Sequence, residues 1–467
     1  MAHRPEHSAT GGWQDVVGLP HILRTLAIAI QPAKLVLALA GIVSTFAWGW
    51  ALDLAWSPVV SLDDNAIGSY IVARDLGMPY AETEGDRGVF QVFQAHQRSA
   101  IVALMASILP GDSVAPALAA ERSPGVHASP ASNLLAIVYG VLWMVRFHPF
   151  YFILFALGVI AIWALFGGAI CRMAALQFTR EELPTLREGV VFARNRWFGG
   201  FFLAPLFPAM LVLGAVVALA LGGAILRIPV LGDIIAGTLF FLAILGGFFA
   251  AVILVGLFVG GSLLWPAVAT EGFDAFDSFS RAVSYPYNRP LKAVIYAALL
   301  LVYASVCWLA LSVFVYLSLA IARTAVGFGT SPFGWWARGD GGARKIDVLW
   351  PMNGPNQLWS SPDWAGLAWY EYISAALIAV YVVLVIGLLW SFLCSFYFSG
   401  STVAYCLLRR DVDLIDLKEV YVGDEDTAST DPAPRPSSQT PAEAKGGNIA
   451  LPIAGETTVK PPDPSLK

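Results

Sequence analysis

The chain has 467 residues, 57% hydrophobic and only 13% charged, with a formal net charge of −5. A soluble domain is nearer 25% charged, so this composition excludes an ordinary water-soluble globule. The mild acidity supplies no basic surface for a nucleic-acid partner.

Residues 1–34 read as a cytoplasmic amphipathic segment. Ile22, Leu23, Leu26 and Ile30 interleave with His21, Arg24 and Gln31 between Pro20 and Pro32. That pattern predicts a helix lying in the inner headgroup layer, and it does not read as a cleavable signal peptide. Roughly 20 consecutive apolar residues cross a bilayer as a helix. Six apolar stretches follow that rule, near 35–56, 149–173, 198–226, 234–265, 291–322 and 372–408. The expected fold is an all-α membrane protein: about six transmembrane helices with interfacial amphipathic helices, within a polytopic domain over 35–422.

Between the spans, 57–148 and 323–371 are expected outside. In the first, Gly88–Leu109 has helical apolar spacing, and Leu134–Val145 is apolar but too short to span. The latter is expected at the outer interface, or as an extension of span two across a bend at Pro149. The second holds Trp335, Trp336, Trp350, Trp359, Trp364 and Trp369, and tryptophan gathers at membrane–water boundaries. Residues 423–467 are rich in Pro, Ser, Thr, Glu and Lys and read as a disordered cytoplasmic tail.

Lysine and arginine set the orientation. Lys34 precedes span one, Arg172 to Arg196 follow span two, Arg281 to Lys292 follow span four, and Arg409, Arg410 and Lys418 follow span six. These fall on one side, whereas Asp53–Arg146 is acid-rich, so both termini are expected in the cytoplasm. Arg323, Arg338, Arg344 and Lys345 run against the rule locally.

The segment Glu271–Tyr285 is the best-formed surface helix. Phe273, Phe276, Phe279 and Val283 recur on one face. Asp274 and Asp277 fall in its first turn and Arg281 in its last, which suits the helix dipole, and Asp277 can pair with Arg281. These residues form a candidate membrane-surface or partner-binding helix. Glu181–Asn195 follows the same logic, with Thr179 and Glu182 as a capping-box pair opposed by Pro184. A shift of 93 positions superposes Gly168 on Gly261 and Asn195-Arg196 on Asn288-Arg289. A shift of 139 superposes Gly261-Ser262 on Gly400-Ser401. The pattern suggests stacked units of two spans with a surface helix between.

The stretch Pro266–Pro290, PAVATEGFDAFDSFSRAVSYPYNRP, leads into an apolar span and resembles a unit of several bacterial multi-pass families. These include membrane domains of the glycerophosphodiester-phosphodiesterase type and Yip1-like proteins. The likeness covers Gly261–Ala298, and Gly168–Phe202 more loosely. It implies an architecture and no catalytic residues, because those membrane domains carry none themselves. The hydrolase domain that would supply chemistry is missing here.

Small residues mark candidate packing faces. Gly214, Ala218 and Gly222 are four apart, and Gly246/Ala250 and Gly256/Gly260 repeat the spacing. A tight antiparallel hairpin is expected around Pro229–Asp233. No span carries an ionisable residue at its centre; Asp53, Arg146, Arg172, Arg227 and Glu371 sit at span ends as interface anchors. Ser305, Ser312, Ser391 and Ser395 are expected to bond the carbonyl one turn back or to bridge helices. Cys171, Cys307, Cys394 and Cys406 read as buried thiols, with no CxxC pair. The six histidines are scattered, and no metal, nucleotide or nucleophile-elbow motif is present, so neither catalytic residues nor a cofactor are expected.

The expected function is a non-enzymatic integral protein of the plasma (inner) membrane that organises the bilayer or anchors a protein partner on the cytoplasmic face. The alternative is a permease-like transporter subunit. Glu271-Gly272-Phe273-Asp274-Ala275-Phe276 looks somewhat like the coupling segment of ABC-type permeases, but lacks their acidic-Ala-Ala start followed by Gly. A third class is a lipid-acting enzyme using the Trp-rich segment with Asp340, Asp347 or Asp363.

Overall fold

A computed structural model describes residues 19–56, 60–107, 129–224, 227–228, 231–330, 345–351, 362, 364, 367–415 and 420–421. Among these every regular element is helical, apart from isolated bridges of Leu62 to Glu84 and Arg87. In chain order they are α1 (Leu19–Ala29), α2 (Pro32–Trp56), α3 (Ala66–Asp75), α4 (Val89–Ser107), α5 (Pro130–Phe147), α6 (Pro149–Arg180) and α7 (Leu186–Asn195). A π-helical turn over Trp197–Phe202 leads into α8 (Leu203–Ala224), then α9 (Leu231–Gly260), a 3₁₀ turn over Gly261–Leu263 and α10 (Leu264–Glu271). The chain continues as α11 (Ala275–Asn288), α12 (Pro290–Thr330), α13 (Lys345–Leu349) and α14 (Trp369–Asp413). The tail expected over 423–467 lies outside the described residues, as do Trp335, Trp336 and Trp359.

The protein is an all-α, multi-pass membrane protein. Seven helices are long and apolar enough to cross a bilayer, one more than the sequence suggested. The addition is α5, which starts at Pro130 rather than near Leu134. Ser129 caps it by accepting the Ser132 amide at 3.2 Å, and proline at its first position loses no hydrogen bond. His148 breaks the chain between α5 and α6, with φ −129° and ψ 56°.

The segment read as external therefore folds differently. At the start of α4, Phe90 lies against Gly49 of α2, while Leu104 near its end is buried with Ala29 and packs on Leu35. So α4 runs back alongside α2, antiparallel to it, and α5 returns as its partner. Hydropathy alone does not rank α4 as a span because Gln94, His96, Gln97 and Arg98 interrupt it.

The N-terminal helix packs on the bundle. One face of α1 is covered by protein: Ile22, Thr25, Ile28 and Ala29 are buried. Thr25 faces Gly400 of α14, and the His21 ring meets Phe178 of α6 edge-on. Amphipathic spacing is the same whether the apolar face covers lipid or protein, so sequence could not separate the two.

Helix α14 forms the centre, packed by α1, α2, α6, α10, α11 and α12. Its Ser391–Leu408 half is almost wholly buried. The main core gathers Ala164–Phe178 of α6, Leu263–Ala269, Tyr285 and Phe398–Leu408. Helices α8 and α9 form an antiparallel hairpin attached to the rest through α10, α11 and the π turn.

Candidate functional site

Helices α7, α10 and α11, together with the ends of α6 and α14, form a floor on one side of the bundle. Three helices end there on left-handed residues: α6 at Glu181 (φ 60°), α10 at Gly272 (φ 68°) and α14 at Leu414 (φ 57°). After the first two, a short amphipathic helix crosses to the next span. The α7 crossing is set by a capping box of Thr185 and Glu188, so the pair suggested by Thr179 and Glu182 is displaced. Helix α6 runs on to Arg180, where Thr179 bonds back to the Ala175 carbonyl.

A polar cluster joins the helix ends. Glu271 accepts from Tyr405 and pairs with Arg409 at 3.3 Å, with side chains only 10% and 11% exposed. Tyr285 donates to Asp413 at 2.6 Å, and Arg281 reaches the same carboxylate at 3.1 Å. Burial first, and then that carboxylate, push the Tyr285 phenol above the usual tyrosine range. Lys292 pairs with Asp411 at 2.6 Å. Beyond α14, Val420 and Tyr421 return across the floor. The Tyr421 amide donates to Thr270 at 2.9 Å, Arg180 donates to the Val420 carbonyl, and Arg196 bonds both the Gly272 carbonyl and the Tyr421 hydroxyl.

The expected surface helix exists as α11, with one face packed on protein and the other exposed. Ala275, Ser278, Ala282 and Tyr285 are its buried face. Phe279 and Phe276 both meet Phe207 of α8, Phe276 remains 63% exposed, and Phe273 lies under the Arg281 guanidinium. Asp274 and Asp277 are exposed, and Arg281 takes Asp413 as its partner where Asp277 was expected. Among the small residues, a side chain at Gly214 or Gly222 would meet nothing within 4 Å, and Gly246 faces Leu219. Ala250 is buried in α9, whereas Ala218 is exposed in α8. The closest approach falls elsewhere, between α9 and α11: Gly256 meets Val283, and a Cβ on Gly260 would stand 2.6 Å from the Ala282 carbonyl oxygen.

Sequence reasoning missed four buried polar groups. At Pro32 the chain kinks between α1 and α2. Helical bonding would pair the Ile28 carbonyl with the amide of residue 32, which proline lacks, and the Ala29 carbonyl with residue 33, past the break. Lys34, fully buried, donates to the Ile28 carbonyl at 3.0 Å and to Gln177 at 2.5 Å, and Ser395 donates to the Ala29 carbonyl at 2.7 Å. Asp53, 5% exposed, is no interface anchor: it accepts the Phe90 and Gln91 amides at 2.9 and 3.2 Å and the Tyr151 hydroxyl at 2.7 Å. It thereby caps α4, and Gly88 leaves room for its carboxylate. Arg172, 2% exposed, donates to the Ala269 carbonyl at 3.0 Å near the end of α10 and stacks on Phe192. His96, 4% exposed, sits in the α4–α5 seam with Nε2 3.0 Å from the Ala136 carbonyl. Gly140 makes the room for His96 and Gln97. The hint in sequence was that Lys34, Asp53 and Arg172 sit at the ends of apolar spans and His96 within a helical apolar pattern.

No group of three or more metal-ligating side chains occurs among the described residues. Asp347 is engaged by Arg323 at 2.6 Å, and Asp340 and Asp363 lie outside the described residues. A cavity of about 760 Å³ opens beside the floor between the base of α9, α12 and α14. Trp163, Trp265, Ala297, Leu300, Phe396 and Ala404 contribute to its apolar lining.

Compared with known protein families, curated proteins and solved structures, the chain matches none.

Proposed function

We propose that this integral membrane protein is a non-enzymatic scaffold of the bacterial plasma (inner) membrane that anchors a protein partner on its cytoplasmic face. The observation that carries this reading is how the buried charges are used. Lys34, Asp53, Arg172 and Glu271 each hold a group of another helix or of the α1–α2 kink, so they brace the bundle and serve no polar passage. Braced helices suit an anchor better than a carrier, which needs elements with two arrangements. The basic clusters beside the floor support its assignment to the cytoplasm. Exposed Phe276 between Asp274 and Asp277 supports α11 as the docking edge.

Reconstitution tests the proposal. Liposomes carrying the protein should pass labelled ions, sugars and amino acids no faster than empty liposomes, and accelerated flux of any of them overturns the scaffold reading.

One observation favours the permease-like alternative. His96 is buried in the α4–α5 seam, and its Nδ1 finds no partner among the described residues. Ionisable groups within a membrane often mark a proton or substrate path. Solute uptake that vanishes in His96→Ala would establish that alternative.

A further inference from the structure

The cavity between α9, α12 and α14 has a definite length. Its α12 wall is Ala293, Ala297, Leu300, Leu301 and Ala304. Eleven residues of helix rise about 16 Å. The α14 wall, Leu393 to Leu408, rises about 22 Å on the same basis. The hydrocarbon core of a bilayer is about 30 Å thick. At about 16–22 Å the slot is shorter than that core. A partner helix crossing the membrane needs the whole thickness, whereas the acyl chains of one lipid need half.

The slot also opens to the side. Helix α11 bridges α9 to α12 at the floor, and its Pro286 closes that end of the cavity. Ala297 is exposed in the wall, so the way in lies within the bilayer. Small residues on both faces, Ala293, Ala297 and Ala304 against Gly400 and Ala404, create the width.

The rim on the floor side carries positive charge. Arg289 immediately precedes α12, four residues before Ala293, and its carbonyl accepts the Ala293 amide at 3.0 Å. It is exposed and has no ion-pair partner among the described residues. Lys292 and Arg281 nearby are neutralised by Asp411 and Asp413, whereas Arg289 has no such carboxylate among the described residues. An arginine at the headgroup level attracts anionic lipid.

We infer that the slot holds the acyl chains of an anionic phospholipid drawn from the leaflet on the α11 side, with its phosphate at Arg289. This is independent of the scaffold reading, because a carrier could hold the same lipid.

Native mass spectrometry of the full chain tests it, from micelles containing equal amounts of phosphatidylglycerol and phosphatidylcholine. The wild-type protein should retain one phosphatidylglycerol. Ala297→Trp, at a position already facing lipid, should fill the slot and lower retention at least ten-fold. Arg289→Gln should keep the lipid but reduce the preference for phosphatidylglycerol about five-fold. Circular dichroism melting confirms that each variant is folded, and Ala293→Leu serves as the plug if Ala297→Trp is not. Loss of retention in the plug together with loss of preference in Arg289→Gln sustains the inference. No retained lipid, retention unaffected by the plug, or equal retention of both lipids overturns it. So does a dimeric mass that Ala297→Trp converts to monomer, which would make the slot an interface between copies.

Discussion

The kink at Pro32 gives the sharpest test of how the bundle is held. Ser395→Ala removes the hydroxyl that serves the Ala29 carbonyl and leaves that buried acceptor bare. An unsatisfied buried acceptor costs about 1–3 kcal/mol, and interhelical hydrogen bonds in membranes average about 0.6 with a maximum near 1.7. The expected loss is about 1–1.5 kcal/mol. Ser391→Ala is the control: its hydroxyl is also buried but bonds the Gly387 carbonyl at 2.6 Å within the same helix, and that carbonyl keeps its helical amide. Its loss should stay below about 0.5 kcal/mol. Pro32→Ala then restores an amide to residue 32 and lets the helix continue through Ala29. In that background Ser395→Ala should become nearly silent, a coupling of about 1 kcal/mol. The cycle is measured by reversible unfolding of purified protein in mixed micelles, followed by circular dichroism. An equal loss from Ser395→Ala with proline or alanine at position 32 would refute the claim that this hydroxyl serves a carbonyl freed by the kink.

Asp53→Ala should cost about 3 kcal/mol in the same assay, since it strips three bonds from a buried carboxylate cap, whereas Tyr151→Phe should cost about 1. Gly260→Ala should cost about 1–3 kcal/mol by forcing a methyl against the Ala282 carbonyl, while Gly214→Ala and Gly222→Ala should fall within about 0.5 of wild type. Thr185→Ala, which opens the capping box of α7, should cost about 1 kcal/mol. Arg281→Ala should cost less than about 1 kcal/mol, because the pair with Asp413 is 44% exposed on the arginine side, and a larger loss would show the floor cluster to be more cooperative than pairwise.

The apolar runs made six of the spans legible, because a bilayer demands length and hydropathy from any helix that crosses it. They could not expose α4, whose Gln97 and His96 are matched by carbonyls of α5. Polar residues satisfied by a neighbouring helix look, in one dimension, like residues meant for water. The Gly260 spacing pointed to close packing, yet its partner proved to be α11 and not α8. A pattern of small residues tells where a backbone can be approached and not what approaches it. The floor was legible as amphipathic helices with Asp277 and Arg281 placed for each other. The partner Arg281 actually takes, Asp413, comes from far along the chain.

The bend at Pro32 also bears on the order in which the molecule is made. Its exposed carbonyls are served by Lys34, steadied by Gln177, and by a serine 366 residues downstream. The junction of α1 and α2 thus stays incomplete until α14 has been synthesised. A nascent chain stalled before α14 would carry a bare peptide carbonyl in oil, a defect that a membrane protease or chaperone can recognise.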